Sequence, residues 1–133
     1  MNLYRYELNS TKKNELISID DFLNDAIKKS KVKNGLAIVF TAHTTAGITI
    51  NENCDDDVKS DLLYGLEKIS PKRDEYKHFE ENSDAHLKSS IIGASESIII
   101  AENKPIMGRW QGLYFCEFDG ARRRTIFIKI LTD

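Results

Sequence analysis

The chain has 133 residues, 41% hydrophobic and 30% charged, a length for one domain and a composition that can bury a real core. Lys and Arg number 19 against 21 Asp and Glu, for a net charge of −2, so the basic excess that marks nucleic-acid and membrane-surface binders is missing. Mean hydropathy is −0.42, and no apolar run approaches the ~18 residues of a transmembrane helix.

Residues 1–7 alternate instead of forming a signal-peptide apolar block. Cys54 and Cys116 are too few for a disulfide scaffold. Together these features place the chain, as an expectation, in the cytoplasm with reduced thiols.

Residues 3–8 alternate and predict a strand, and residues 15–19 a second, shorter one. Asp20 or Asp21 can then cap a helix running to about Lys31, with Phe22, Leu23, Ala26 and Ile27 on one face and Asn34-Gly35 as its stop. Residues 36–42 are apolar on both faces and rich in β-branched side chains, the pattern of a central strand. Residues 48–50 predict the next strand. A helix over about 55–69 follows, with Asp55, Asp56 and Asp57 in its first turn and Val58, Leu62, Leu63, Leu66 and Ile69 as its buried stripe.

Residues 70–82 are polar and read as a loop. A shorter helix over 84–92 is capped by Asn82 or Ser83 and ended by Gly93. Residues 97–102 predict a strand. Residues 111–118 and 123–131 flank Asp119-Gly120, a hairpin signal, and Ile126, Ile128 and Ile130 share a buried face. About seven strands and three helices, the strands clustered, predict an α+β single domain with compact antiparallel, sandwich-like sheets.

The three histidines occupy telling settings. His43 stands at the polar end of the buried strand, His78 in the polar loop, and His86 in the first turn of the short helix. A strand end, a loop and a helix start can converge on one point, and three neutral imidazoles with one open position suit a catalytic zinc site. The alternative is three unrelated surface or capping histidines. Thr44 and Thr45 follow His43. Asn51 closes the next strand. Asn82 and Asp84 bracket the start of the His86 helix, as orienting groups for imidazoles or as plain helix caps. Arg109 and Gln111 flank Trp110 between glycines, able to grip a phosphate and hydrogen-bond a ligand, or to form a strand entry whose Trp is a core or interface aromatic. Arg122, Arg123 and Arg124 could bind an anion, or form a solvated hairpin base balancing Asp119 and Glu117. Both cysteines read as small core residues. No P-loop, GxGxxG, GxSxG or CxxC pattern occurs.

Three stretches carry a resemblance: His43-Thr44-Thr45-Ala46-Gly47-Ile48-Thr49-Ile50-Asn51-Glu52-Asn53, then Asn82-Ser83-Asp84-Ala85-His86-Leu87-Lys88, then Trp110-Gln111-Gly112-Leu113-Tyr114-Phe115-Cys116-Glu117-Phe118-Asp119-Gly120. In this order they resemble the YjbQ family, some of whose members are described as secondary thiamine-phosphate synthases. The resemblance spans nearly the whole chain. It implies an α+β sandwich assembled as a homotrimer, with a divalent metal, zinc foremost, held by His43, His78 and His86. Asn51 and Asp84 match polar positions of the same motifs; with the residue reading above, the expected catalytic residues are Asp84, Asn51 and Arg109, and the expected substrate contacts Thr44, Thr45, Asn82 and Gln111. The implied reaction joins an aminopyrimidine diphosphate to a thiazole phosphate, giving thiamine phosphate and pyrophosphate. The alternatives are a non-catalytic trimer that binds a metal, an anion or a metabolite, and a metal-dependent phosphate-ester hydrolase. Two positions depart from the family pattern: Glu81 stands where a glycine is usual, and Arg109 where a threonine is usual.

Overall fold

The computed structural model describes residues 2–133. In chain order the elements are β1 (Leu3–Asn9), β2 (Glu15–Ser18), α1 (Asp20–Ser30), β3 (Gly35–Phe40), β4 (Ala46–Glu52), α2 (Asp56–Ile69), α3 (Ser83–Ile92), β5 (Ser95–Ala101), β6 (Lys104–Pro105), β7 (Gln111–Glu117) and β8 (Arg123–Thr132). The strands form a five-stranded sheet, β1-β8-β3-β5-β6, and a three-stranded sheet, β2-β7-β4. Every pairing is antiparallel. This is the α+β sandwich that the clustered strand pattern predicts.

Period-two alternation explains how the layers meet. Ile126, Ile128 and Ile130 of β8, Ala37 and Val39 of β3, and Ile98 and Ile100 of β5 enter one core. There they join Leu113 and Phe115 of β7, Ile48 of β4, and Leu23, Ala26 and Ile27 of α1. β3, apolar on both faces in the sequence, lies at the centre of the larger sheet. β7 is buried from Gly112 to its end. Its other face sends Cys116, with Phe118 just beyond, against Ala85 of α3, together with Leu16, Leu66 and Ile92. The smaller sheet is therefore sandwiched between the larger sheet and the α2/α3 layer. Burial among these apolar groups pushes the Cys116 thiol up to about 12, so it is inert as a nucleophile.

Three expectations need correction. The Asp119-Gly120 turn is no hairpin, because β7 belongs to the smaller sheet and β8 to the larger; the turn carries the chain from one layer to the other. The first helix ends at Lys31, whose left-handed φ of 59° supplies the C-cap, before Asn34-Gly35 is reached. Gly35 has a different task. A Cβ there would lie 1.9 Å from the Leu131 carbonyl oxygen, so glycine lets β3 and β8 close. Asp55 does cap α2, accepting from the Asp57 amide at 2.9 Å. The α2 stripe, however, is not buried in this chain. Val58, Leu62, Leu63 and Leu66 are half-buried, and Ile69 is 67% exposed. The helix touches the sheets mainly through β2, so much of its apolar face is left uncovered.

Candidate functional site

One cleft of about 310 Å³ draws together the ends of several elements. The loop after β3 supplies His43, Thr44 and Thr45. The loop between α2 and α3 supplies His78 and Glu80. The start of α3 supplies Asn82 and His86, and the start of β8 supplies Arg122 and Arg124. The volume is at the lower end for small-molecule sites.

His43 is held from below. Its Nε2 accepts the Thr125 backbone N–H at 2.9 Å, which places the neutral ring's proton on Nδ1. Burial, with the charges of Arg124 and Arg122 outweighing Glu117, pushes the His43 pKa below the usual histidine value. His43 therefore offers the cleft a neutral N–H donor. The His78 and His86 rings meet edge to face, centroids 5.5 Å apart, and Glu80 Oε1 lies 3.7 Å from His78 Nε2. His78 and Glu81 close a turn, the Glu81 N–H donating to the His78 carbonyl at 3.0 Å.

Beneath the cleft lies a buried ion pair. Arg124 is 2% exposed and Glu117 0%. Arg124 Nε donates to Glu117 Oε1 at 2.8 Å, and Nη2 donates to Glu117 Oε2 and, at 2.9 Å, to Thr45 Oγ1. Glu117 also accepts from Ser10 Oγ at 2.6 Å and from the Asp119 amide at 2.9 Å. Burial alone would raise the Glu117 pKa. The bonds from Arg124, Ser10 and Asp119 override it and hold the carboxyl below its ordinary range. The Arg122–Asp119 bridge at 2.9 Å and the Arg123–Glu7 bridge complete the basic triplet, so each of its arginines has a carboxylate partner.

His43, His78, His86, Thr44, Thr45 and Asn82 converge as their sequence settings suggest. Asn82 does not cap α3 with its side chain. Its Nδ2 donates instead to Asp119 Oδ2 at 2.8 Å, leaving Oδ1 buried and without a partner. Asp84 lies behind the cleft, 0% exposed. Lys13 Nζ donates to its Oδ2 at 2.6 Å and Lys88 Nζ stands 3.9 Å away. Burial works to raise the Asp84 pKa, but Lys13 and Lys88 prevail and lower it. A carboxylate so enclosed anchors α3 to the segment between β1 and β2, and does not reach a ligand.

Asn51, Arg109 and Gln111 are not in the cleft. Asn51 pairs with Gly112 and Glu52 with Gln111, at the end of the smaller sheet remote from Ala46. Five residues of strand put Asn51 roughly 16 Å from Ala46. Arg109 stacks on Trp110, 4.8 Å from the ring centroid, and Gln111 Oε1 accepts from the Gly108 amide at 2.7 Å. The arginine that departs from the family pattern thus neither makes nor blocks a contact in this cleft. Glu80 lines the cleft as well, and its only signal in the sequence is its nearness to His78.

Glu81, the other departure, adopts a left-handed φ of 59°. A side chain there costs about 1–2 kcal/mol that glycine would not incur. Glu81→Gly is expected to raise stability by about 1 kcal/mol in urea denaturation, part of the relief being offset by unfolded-state entropy. An unchanged or lowered midpoint would mean that the loop relaxes without strain.

The three imidazoles, as placed, do not form a metal cage. Among the described residues no group of three or more His, Cys, Asp or Glu side chains is arranged to hold an ion. The donor chemistry gives the reason: His43 has committed its lone pair to the Thr125 N–H, and the nitrogen left over carries a proton. Protein incubated with excess zinc and desalted is therefore expected to retain well under one equivalent per chain by elemental mass spectrometry. A full equivalent lost in His43→Ala would show that the ring turns to ligate.

A family model described as UPF0047 protein YjbQ-like matches residues 4–133. The UPF0047 protein MJ1081 of Methanocaldococcus jannaschii is 49% identical over 131 residues, 98% of this chain and 95% of that protein. The UPF0047 protein YugU of Bacillus subtilis is 44% identical over 126 residues, 94% and 96% of the two chains. A crystal structure of an uncharacterised conserved protein of the YjbQ/UPF0047 family from Clostridium acetobutylicum superposes with a TM-score of 0.94. That protein is 48% identical, and the match covers 96% of this chain and 99% of the other.

Proposed function

The chain belongs to the YjbQ/UPF0047 family, and on that premise we propose that its histidine-lined cleft binds a phosphorylated small molecule and transfers a group away from it. The transfer is of the thiamine-phosphate synthase kind, releasing pyrophosphate. The observation that carries the reading is the cleft itself, where His43, His78, His86, Thr44, Thr45 and Asn82 meet above a buried arginine. Threonine hydroxyls and the His43 N–H are donors to phosphoryl oxygens. Donors that are already placed when charge moves onto a leaving diphosphate stabilise it without reorganisation. His78 and His86 flank the opening, and an imidazole there can pass a proton to or from a reacting oxygen. No step here is assigned to a metal ion, since the present side-chain placement does not form its ligand set.

The test is direct. Wild-type protein given the aminopyrimidine diphosphate and the thiazole phosphate should form thiamine phosphate and pyrophosphate in proportion to protein. His86→Ala should lose about 10²-fold or more of that rate. Saturable pyrophosphate binding without product would remove the transferase and leave a binding protein.

The reading includes a homotrimer, supported by the uncovered stripe of α2. Leu63, Tyr64 and Ile69 lie on a helix with little of its own chain to cover it, and apolar faces of this kind mark interfaces. Light scattering should give three times 15.2 kDa. Leu63→Glu should shift the protein toward monomer; a wild-type monomer would remove the assembly.

A further inference from the structure

At the floor of the histidine cleft lies Arg124. A guanidinium has five N–H donors in a fixed fork. In Arg124 the Nε–H goes to Glu117, and the two Nη2 hydrogens go to Glu117 and Thr45. The two hydrogens of Nη1 have no acceptor among the described residues. The side chain is nevertheless 2% exposed and lines the cleft. Nη1 is not among the buried atoms left without a partner, so this end of the fork opens on the cleft, where it can donate to an acceptor from outside the chain.

The neighbouring arginines differ. Arg122 and Arg123 have side chains 50% and 74% exposed and bridge to Asp119 and Glu7. Arg109 lies on Trp110, away from the cleft. Arg124 alone in the triplet combines burial, rigid bidentate fixing by Glu117 and a free end. Its surroundings add donors. The His43 ring, proton on Nδ1, shares the cleft, and Thr44 stands on the same loop. The one acidic group on the lining is Glu80, half-exposed at the rim, while Glu117 is sequestered beneath the arginine. Lys could not replace this fork, since it offers a single mobile ammonium.

We propose that Arg124 is the oxyanion anchor of the cleft, its Nη1 hydrogens donating to a phosphoryl oxygen of the ligand while Nε and Nη2 stay locked to Glu117 and Thr45. Glu117 and Thr45 are then positioning residues that aim the fork. This rests on the phosphorylated-ligand reading above and names the residue that recognises the phosphoryl group.

The experiment titrates full-length wild-type protein with inorganic pyrophosphate, orthophosphate and acetate, by calorimetry and by NMR of the arginine Nε–H resonances. Pyrophosphate should bind saturably and displace the Arg124 resonance, while acetate does so weakly or not at all. Arg124→Lys, which conserves charge, should bind pyrophosphate at least about tenfold more weakly. Arg123→Ala, which lowers the net charge outside the cleft, should bind it as wild type does. If wild type responds to neither phosphate, the phosphorylated-ligand reading falls and the anchor with it. If wild type binds but Arg124→Lys binds equally well, the anchor alone falls. Acetate binding as tightly as pyrophosphate would overturn the phosphoryl specificity. Should Arg124→Lys fail to fold, the wild-type spectrum decides: saturable pyrophosphate binding with an unmoved Arg124 resonance overturns the proposal, and a saturating shift upholds it.

Discussion

Glu117→Leu is expected to destabilise the protein by about 3–5 kcal/mol, because it leaves a buried guanidinium without its carboxylate. Glu117 is 0% exposed and Arg124 2%, so water cannot replace the lost partner. The Ser10 hydroxyl and the Asp119 amide lose an acceptor in the same step. Replacing both charges, as Glu117→Leu with Arg124→Met, should recover most of the loss, since a buried pair can exchange for apolar groups at little net cost. A single-variant loss under about 1 kcal/mol in urea denaturation would mean that the pair is not desolvated as described. The pH dependence has a definite sign. An unfolded glutamate titrates near pH 4.3, and the folded group is held lower. The contribution of Glu117 is therefore complete above that pH and lost as pH falls through it toward the folded value. Asp84 behaves in the same direction. Urea midpoints between pH 6 and pH 3 should fall in the wild type and fall less in Glu117→Gln; parallel curves would sink the assignment.

The same pair shows where the sequence stops being informative. Alternation in residues 123–131 marks a strand and its buried face, and Ile126, Ile128 and Ile130 are buried as that pattern requires. Nothing in the alternation says that β7 and β8 part company. Turn chemistry at Asp119-Gly120 is local, whereas sheet membership depends on partners far along the chain: β2 and β4 for β7, β1 and β3 for β8. Crossing between layers brings Glu117 under Arg124, a contact that a hairpin register would not have required. Local charge balance does point to Asp119 and Glu117 as counter-charges of the triplet, and Arg122 and Arg124 bridge to them.

The histidines were legible because each sat at an element's end, and ends gather. Asn51 and Gln111 were misleading for the converse reason. They stand on strands whose other ends form the cleft, and a strand advances about 3.3 Å per residue, so a shared motif does not mean a shared site. The α2 periodicity marks an apolar stripe, yet Ile69 is 67% exposed, because periodicity reports which face is apolar and not how far the rest of the chain covers it.

His43→Ala and His86→Ala are expected to impair pyrophosphate binding alike and to differ sharply in stability. His43 is part of the framework. Removing it orphans the Thr125 N–H at the start of β8, at a cost of about 1–3 kcal/mol. His86 is half-buried and touches His78 edge to face, so its truncation should move stability by no more than about 0.5 kcal/mol. The pH dependence separates them further. The folded His43 pKa lies below the usual value, so its contribution is whole above the unfolded pKa of about 6.5 and is lost as pH falls below it. A proton added to Nε2 would face the Thr125 N–H, which is the physical origin of that loss. The wild-type midpoint should therefore decline from pH 7 to pH 5, while His43→Ala starts lower and declines less. Should His43→Ala decline as steeply as the wild type, His43 is not the group whose protonation opposes folding, and the cleft loses the fixed Nδ1–H donor on which its anion chemistry depends.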